Sequence, residues 1–369
     1  MAEPRTALVL GATGGIGGEM AAVLLRRGWA VRALHRDPAQ ATRSAARLNG
    51  VDWRAGDAMR PDDVVAAARG VVLIVHAVNP PGYRNWGALV LPMLQSSLAA
   101  ARASGARLLL PGTIYNYGPD AFPVLTEESP QHPTTRKGAI RVEMERRLRA
   151  AAQTGDVRSL VVRAGDFFGP HAGNNWFSQG LVRPGRPVHR VAYPGRPGIG
   201  HAWAYLPDVA EAMMRLVEHE AELDAFETFH FAGHWDADGT EMIAAIGRAA
   251  GHPTIRSRRF PWALIAAASP FVPLFREILE MRHLWREPLR LGNTRLRRML
   301  GTEPHTPLDT AVQTTLLGLG CRIAPAKRST TQESSRADSG ASSHAAQCNR
   351  HRQLGPGLVG WSRSGRFSE

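Results

Sequence analysis

Thr6-Ala7-Leu8-Val9-Leu10-Gly11-Ala12-Thr13-Gly14-Gly15-Ile16-Gly17 is the stretch that decides how this chain folds. Ala7 to Leu10 reads as a short buried strand, and apolar residues at helical spacing run from Gly15 to Arg27. Between them lie three glycines spaced three apart. Gly11 permits the tight turn, Gly14 lets backbone approach a pyrophosphate, and Gly17 lets the helix pack close to the sheet. The helix amino terminus then points free N–H groups and the positive end of its dipole at the phosphates. A glycine pattern alone says little, but a strand before it and a helix after it are the context such a turn requires. Gly11, Thr13, Gly14, Gly15, Ile16 and Gly17 are therefore expected to cradle a dinucleotide.

Working outward, the same alternation continues. Strands are expected at Ala30 to Leu34, around Val51 to Trp53, at Val71 to Val75, Arg107 to Leu110 and Arg158 to Arg163. Helices are expected after Asp37-Pro38 and at Asp62 to Ala68, Leu89 to Ala103 and Ala139 to Gln153. Six strands alternating with helices predict an α/β fold, a Rossmann-type doubly wound parallel sheet covered on both faces. Residues 5–165 would form this nucleotide-binding domain. After Gly165 the pattern breaks into Gly, Pro, His and Asn, with helices around Pro207 to Glu218, Gly239 to Ala250 and Pro304 to Leu319. Residues 166–322 are read as a smaller C-terminal substrate lobe, which shares elements with the first domain where the topology demands it. Residues 325–369 are rich in Ser, Gly and Arg without periodicity and are expected to be a disordered C-terminal tail.

Composition narrows the function classes. The 369 residues are 44% hydrophobic, enough for a full core, and carry a formal charge of +13. Seven of the basic residues and three of the acids lie beyond Pro325, and no block of five or six bases occurs, so no nucleic-acid partner is expected. Cys321 and Cys348 make no disulfide framework, and the amino terminus lacks the pattern of a cleavable signal, so a cytoplasmic location is expected. The apolar run from Phe260 to Phe275 is broken by Pro261, Pro270 and Pro273 and is too short to span a bilayer; no membrane partner is expected. The histidines have no metal-ligand spacing, and no metal is expected.

The end of the second strand bears on which dinucleotide binds. Asp37 stands where a ribose-binding acid would sit, but Pro38 follows, so Asp37 also reads as a helix N-cap. Arg36 is placed to meet a 2′-phosphate with its guanidinium, which favours NADP, with NAD as the alternative. Asp57 and Ala58 fall at the next strand end, where Asp57 serves either the adenine or an ordinary turn.

With these residues in view, the chain resembles the extended short-chain dehydrogenase/reductases, the NAD-dependent epimerase/dehydratase group. Gly11 to Gly17, Gly56-Asp57, Val75-His76-Ala77, Tyr117-Gly118, Val162-Arg163, Phe168-Gly169-Pro170 and Tyr205 to Ala210 carry the resemblance in family order. By that resemblance Ala77 would lie beside the cofactor and Thr113 would polarise the substrate. One departure stands out. Where the family has Tyr-x-x-x-Lys followed by Glu, this chain has Lys137-x-x-x-Arg141 followed by Glu145. Arginine stays protonated throughout the useful range, so Arg141 is expected to hold ribose or phosphate rather than pass a proton. Lys137 would need burial or a neighbouring cation to act as an acid or base. It reads equally as part of a salt-bridged helix face with Arg141 and Glu145.

Tyr115, just beyond the fifth strand, is the other candidate for the missing proton donor, while Tyr117 matches a structural position. His171, Asn174, Asn175, Trp176, His189 and His201 are expected to line the substrate site, with Trp176, Phe177, Trp203 and Tyr205 read mainly as packing. Two functions follow: an NAD(P)-dependent oxidoreductase or epimerase/dehydratase acting on a small hydroxy, carbonyl or sugar-type molecule, or a dinucleotide-binding sensor of the same fold without turnover. The expected partner is a small-molecule substrate, with a homodimer left open.

Overall fold

The computed structural model describes residues 4–80 and 85–322; the expected disordered tail lies outside the described residues. The first half alternates as β1 (Thr6–Leu10), α1 (Gly15–Arg26), β2 (Ala30–His35), α2 (Pro38–Ser44), β3 (Val51–Ala55), α3 (Pro61–Ala67) and β4 (Leu73–His76). It continues through α4 (Trp86–Ser104), β5 (Arg107–Pro111), β6 (Val124–Leu125), α5 (Arg136–Gln153) and β7 (Ser159–Ala164). The second half contains β8 (Asp166–Phe168), β9 (Arg190–Tyr193), β10 (His201–Tyr205), α6 (Leu206–Glu218), β11 (Phe226–Phe231) and β12 (His234–Asp236). After these come α7 (Glu241–Ala249), β13 (Arg256–Arg259), α8 (Trp262–Ala268), α9 (Pro273–Glu280), β14 (Arg290–Leu291), α10 (Thr294–Leu300) and α11 (Leu308–Gly318).

The main sheet has seven strands in the order β11-β7-β5-β4-β1-β2-β3, and every pairing in it is parallel. The chain builds outward from β1 to β3, then returns to β4 on the other side of β1 and builds the opposite way. The crevice between β1 and β4 is thus the switch point at which open sheets of this kind hold ligands, at their carboxyl ends. Alternate side chains feed opposite layers, as strand pleating requires. Leu8 and Leu10 join Ile74, Leu94, Leu108 and Leu148 on one face; Ala7 and Val9 join Met20, Leu24, Val75 and Met213 on the other. Burying one such leucine or methionine stabilises the fold by about 1.5–3 kcal/mol.

Among the differences from the sequence reading, the most telling concern the sheet edge and the helix that carries Lys137. The sheet gains a seventh strand, β11, from the second half, and α6 joins the layer that contains α1. The Phe226–Phe231 run of aromatic and β-branched residues is a legible strand, but its partner β7 lies across α6 and could not be read locally. The helix expected from Ala139 begins earlier, at Arg136, because Thr135 caps it by accepting from the Gly138 N–H at 2.9 Å. Beyond the main sheet, β12, β10 and β8 form a small second sheet over an aromatic core of Phe168, Phe177, Tyr193, Trp203 and Trp285.

Candidate functional site

The glycine turn has the geometry its spacing predicts. Gly11 sits at φ +88°, in the left-handed region, and a Cβ there would lie 2.6 Å from the Ala77 carbonyl oxygen. The Gly14 N–H donates to the Gly11 carbonyl at 2.9 Å, closing the turn. A Cβ on Gly17 would run into that same Gly11 carbonyl, so α1 can approach β1 this closely only with glycine there. Thr13 and Gly14 are exposed, and no side chain caps the first turn of α1, which leaves its N–H groups directed outward from the sheet. The second half closes over this end of the helix, since Ala172 and Leu206 would each meet a Gly15 Cβ at 3.0 Å. Ile16 is half-buried against the core, and Ala77 follows β4 with its N–H donating to the Leu10 carbonyl at 3.0 Å.

At the end of β2, Asp37 is an N-cap. Its Oδ1 accepts from the Gln40 N–H at 2.9 Å, with Pro38 in the first turn of α2. Arg36 beside it is exposed. Asp57 is a turn acid in geometry: its Oδ1 accepts from the Met59 N–H at 2.9 Å, and its own N–H donates to Asp63 at 2.9 Å. Ala58, between them, is half-buried.

Beyond β5 and β7 lies a cleft of about 370 Å³, open to solvent at its mouth. Thr113, Tyr115, Asp166, Asn174, Asn175 and Trp176 are among the residues that line it. Thr113 and Tyr115, the two substrate-side candidates of the sequence, therefore share one cavity, and the Tyr115 N–H donates to Thr113 Oγ1 at 3.3 Å. Trp176, expected mainly as packing, is half-buried and also lines an adjoining hollow with Gln179, Gly180, Phe260 and Glu277. Phe177, Trp203 and Tyr205 are packing, buried in the aromatic core. Of the expected histidines, His171 is exposed, and burial with the nearby Arg47 charge lowers its pKa. His189 lies beside His252 with ring centres 5.5 Å apart, and neither lines the cleft.

The helix face expected from Lys137, Arg141 and Glu145 does not form; the three side chains go three ways. Lys137 is fully buried in the first turn of α5 and pairs with Glu277 and, at 2.8 Å, with Glu280, both on α9. Glu280 also accepts from the Lys137 backbone N–H at 2.9 Å, satisfying a donor that the helix start leaves open. Arg141 lies with its guanidinium 5.2 Å from the Trp86 ring centre, and its charge reaches His76. Glu145 turns inward to Arg163 and accepts from Asn116 Nδ2 at 2.9 Å. The Tyr117 hydroxyl completes that buried network against Arg163 and His230, 2.7 Å away, so Tyr117 is structural as its position implied. Burial and the Arg163 charge push the His230 pKa down to about 3. Burial first and Arg141 second do the same for His76, whose Nδ1 meets Ser97 at 2.7 Å.

The sequence reading missed the one carboxylate that lines the cleft. Asp166 is 7% exposed, and its Oδ2 lies 2.8 Å from His201 Nε2. His201 in turn stacks on Trp285 with ring centres 3.8 Å apart and planes within 8°. The signal was present: an acid just past the end of β7, between two stretches that carried the family resemblance. Among the described residues, no group of three or more His, Cys, Asp or Glu is placed to hold a metal.

A parallel sheet with a glycine turn at its switch point and a polar cleft past its strand ends defines a Rossmann-type α/β protein. More narrowly, the chain belongs to the NAD-dependent epimerase/dehydratase family, whose model matches residues 7–232. A Streptomyces sp. protein named 3-diazoavenalumate denitrifying reductase is 28% identical over 318 residues, covering 81% of this chain and 96% of that protein. Among solved structures, UDP-glucose 4-epimerase from Brucella ovis in complex with NAD superposes with a TM-score of 0.66 at 18% identity, covering 87% of this chain and 100% of the other. The Bifidobacterium longum UDP-glucose 4-epimerase in complex with NAD+ and UDP gives 0.64 at 16%, covering 85% and 97%. At these identities the likeness to solved structures is one of fold.

Proposed function

We propose that this protein is an NAD(P)-dependent reductase that passes hydride between C4 of the nicotinamide and a small substrate held beside Thr113 and Tyr115. The observation that carries the reading is the shared cavity. Thr113 and Tyr115 line one cleft past the carboxyl ends of β5 and β7, on the same edge of the sheet as the glycine turn. The turn from Gly11 to Gly17, with Thr13, Gly15 and Ile16, would hold the pyrophosphate, while Ala77 and Arg141 would flank the nicotinamide ribose. Arg36 would meet a 2′-phosphate and so favour NADP, since Asp37 is engaged as a cap. Asp57 and Ala58 would border the adenine.

Thr113 would polarise the reacting group and Tyr115 would supply the proton. Lys137 is given a positioning role, because its ammonium is engaged by two carboxylates on α9. Reduction is preferred to epimerisation on two grounds. A 28% identical relative is named as a reductase. Hydride transfer to an electron-poor acceptor also depends less on a tyrosine–lysine pair than does reversible oxidation of an alcohol.

The test is NADPH absorbance decay against aldehydes, ketones, nucleotide sugars and aryl diazo compounds. Isotope exchange catches epimerisation that shows no net redox. Tyr115→Phe should lower turnover by about 10²–10⁴ with nucleotide binding kept. A protein that binds NADPH tightly yet oxidises none with the whole panel is the sensor, the reading that the engaged Lys137 favours. Activity that appears only after Lys137→Tyr with Arg141→Lys would establish the same.

A further inference from the structure

We propose that Asp166, fixed by His201, makes the cleft a site for a small aromatic or otherwise flat substrate that presents a cationic or hydrogen-bond-donating group, and closes it to an anionic group at that position. This rests on the reading of the cleft as the substrate site. Among the described residues that line it, none is lysine or arginine, although the chain carries a formal charge of +13. The lining holds one carboxylate, Asp166, and the adjoining hollow that shares Asn175 and Trp176 adds another, Glu277. The one charged side chain on the cleft wall is therefore acidic, in a protein whose overall balance is basic.

The carboxylate is held rather than loose. Asp166 is on β8, where it pairs with Trp203 of β10, so its backbone is set by the small second sheet. His201, on the same β10, takes Asp166 Oδ2 at 2.8 Å and is itself clamped flat against Trp285. No other hydrogen bond reaches the Asp166 side chain among the described residues, which leaves Oδ1 to accept from a ligand in the cleft. A buried carboxylate with one oxygen satisfied by protein and the other facing a cavity attracts a donor and repels an anion more strongly than a surface acid would, because little water screens it. Trp176 contributes an aromatic ring to the cleft wall, and Asn174 and Asn175 add neutral hydrogen-bonding groups.

The test uses the full chain with NADP+ present and three probes of one shape: benzylamine, benzyl alcohol and benzoate, titrated by saturation-transfer NMR. Benzylamine should bind at least about tenfold more tightly than benzoate, with benzyl alcohol between them. Asp166→Asn, which preserves shape and can still accept from His201, should bring the three within about twofold of one another. Equal binding of benzoate and benzylamine to the unmodified protein would overturn the proposal whether or not the variant folds. So would a preference for benzylamine that survives Asp166→Asn, which would place the discrimination at Glu277 or elsewhere. The titration involves no hydride transfer. Sorting of the probes by a protein that oxidises no NADPH would sustain the charge selection and sink only the reductase reading.

Discussion

Single residues carry the most exacting demands in this protein. The Gly17 position leaves no room for a Cβ against the Gly11 carbonyl, and both atoms belong to backbone that cannot swing aside. Gly17→Ala should therefore displace α1 from β1 and weaken dinucleotide binding by tenfold or more, an effect of about 1.4 kcal/mol or above, read by fluorescence titration. Arg36→Ala separates the two cofactors. NADPH affinity should fall by about 1.5–3 kcal/mol with NADH affinity little changed, and equal losses for both would remove Arg36 from the 2′-phosphate. The glycine turn was legible because its constraints are local: strand, turn and helix follow one another within a dozen residues. Asp37 was legible as a cap for the same reason, since Pro38 follows it. Asp166 was not, because what gives it meaning is His201 on a strand that only folding brings alongside.

At the level of elements, α5 and α9 are joined through Lys137. Its partners lie 140 and 143 residues further along the chain, so nothing in the local pattern announces them, and spacing pointed instead to Arg141 and Glu145. Removing the ammonium leaves two carboxylates without their shared cation. Breaking a buried pair costs roughly 3–5 kcal/mol, and the partial exposure of Glu277 and Glu280 lowers the expectation for Lys137→Met to about 2–3 kcal/mol. Equilibrium denaturation would measure it. Lys137→Met combined with Glu277→Gln and Glu280→Gln should recover part of that loss, since no charge is then left without a partner. A single variant as stable as the parent would mean that the α5–α9 junction holds without this pair, and would return Lys137 to the list of proton carriers.

Across the whole molecule, three buried histidines set the response to acid. Burial, aided by Arg141 at His76, Arg163 at His230 and His305 at His234, lowers their pKa values from 6.5 to about 3, 3 and 4. The unfolded chain binds protons at these sites near pH 6.5 and the folded chain does not. Their contribution to stability is therefore fully present above that pH and declines as pH falls from 6.5 towards 4. Each site contributes a slope of about 1.4 kcal/mol per pH unit, and three together rival a typical folding free energy of about 5–15 kcal/mol within two or three units. The melting temperature should drop steadily between pH 6.5 and pH 5, and His230→Gln should flatten that slope. A melting temperature constant over the interval would show that the unfolded chain gains no protons there.

The seventh strand also has a consequence for how the protein is made. β11 completes the edge of a sheet whose other six strands are all synthesised by residue 164, and it pairs with β7 along its full length. A nascent chain leaving the ribosome therefore carries an open sheet edge until residue 231 has cleared the exit tunnel, and α6 must also be laid down before the layer beside α1 is covered. Such an interval leaves an adhesive edge and an apolar face exposed, the state in which growing chains clump or recruit chaperones. A gene cut after residue 165 should thus yield insoluble product, whereas one that runs to residue 322 should give soluble protein.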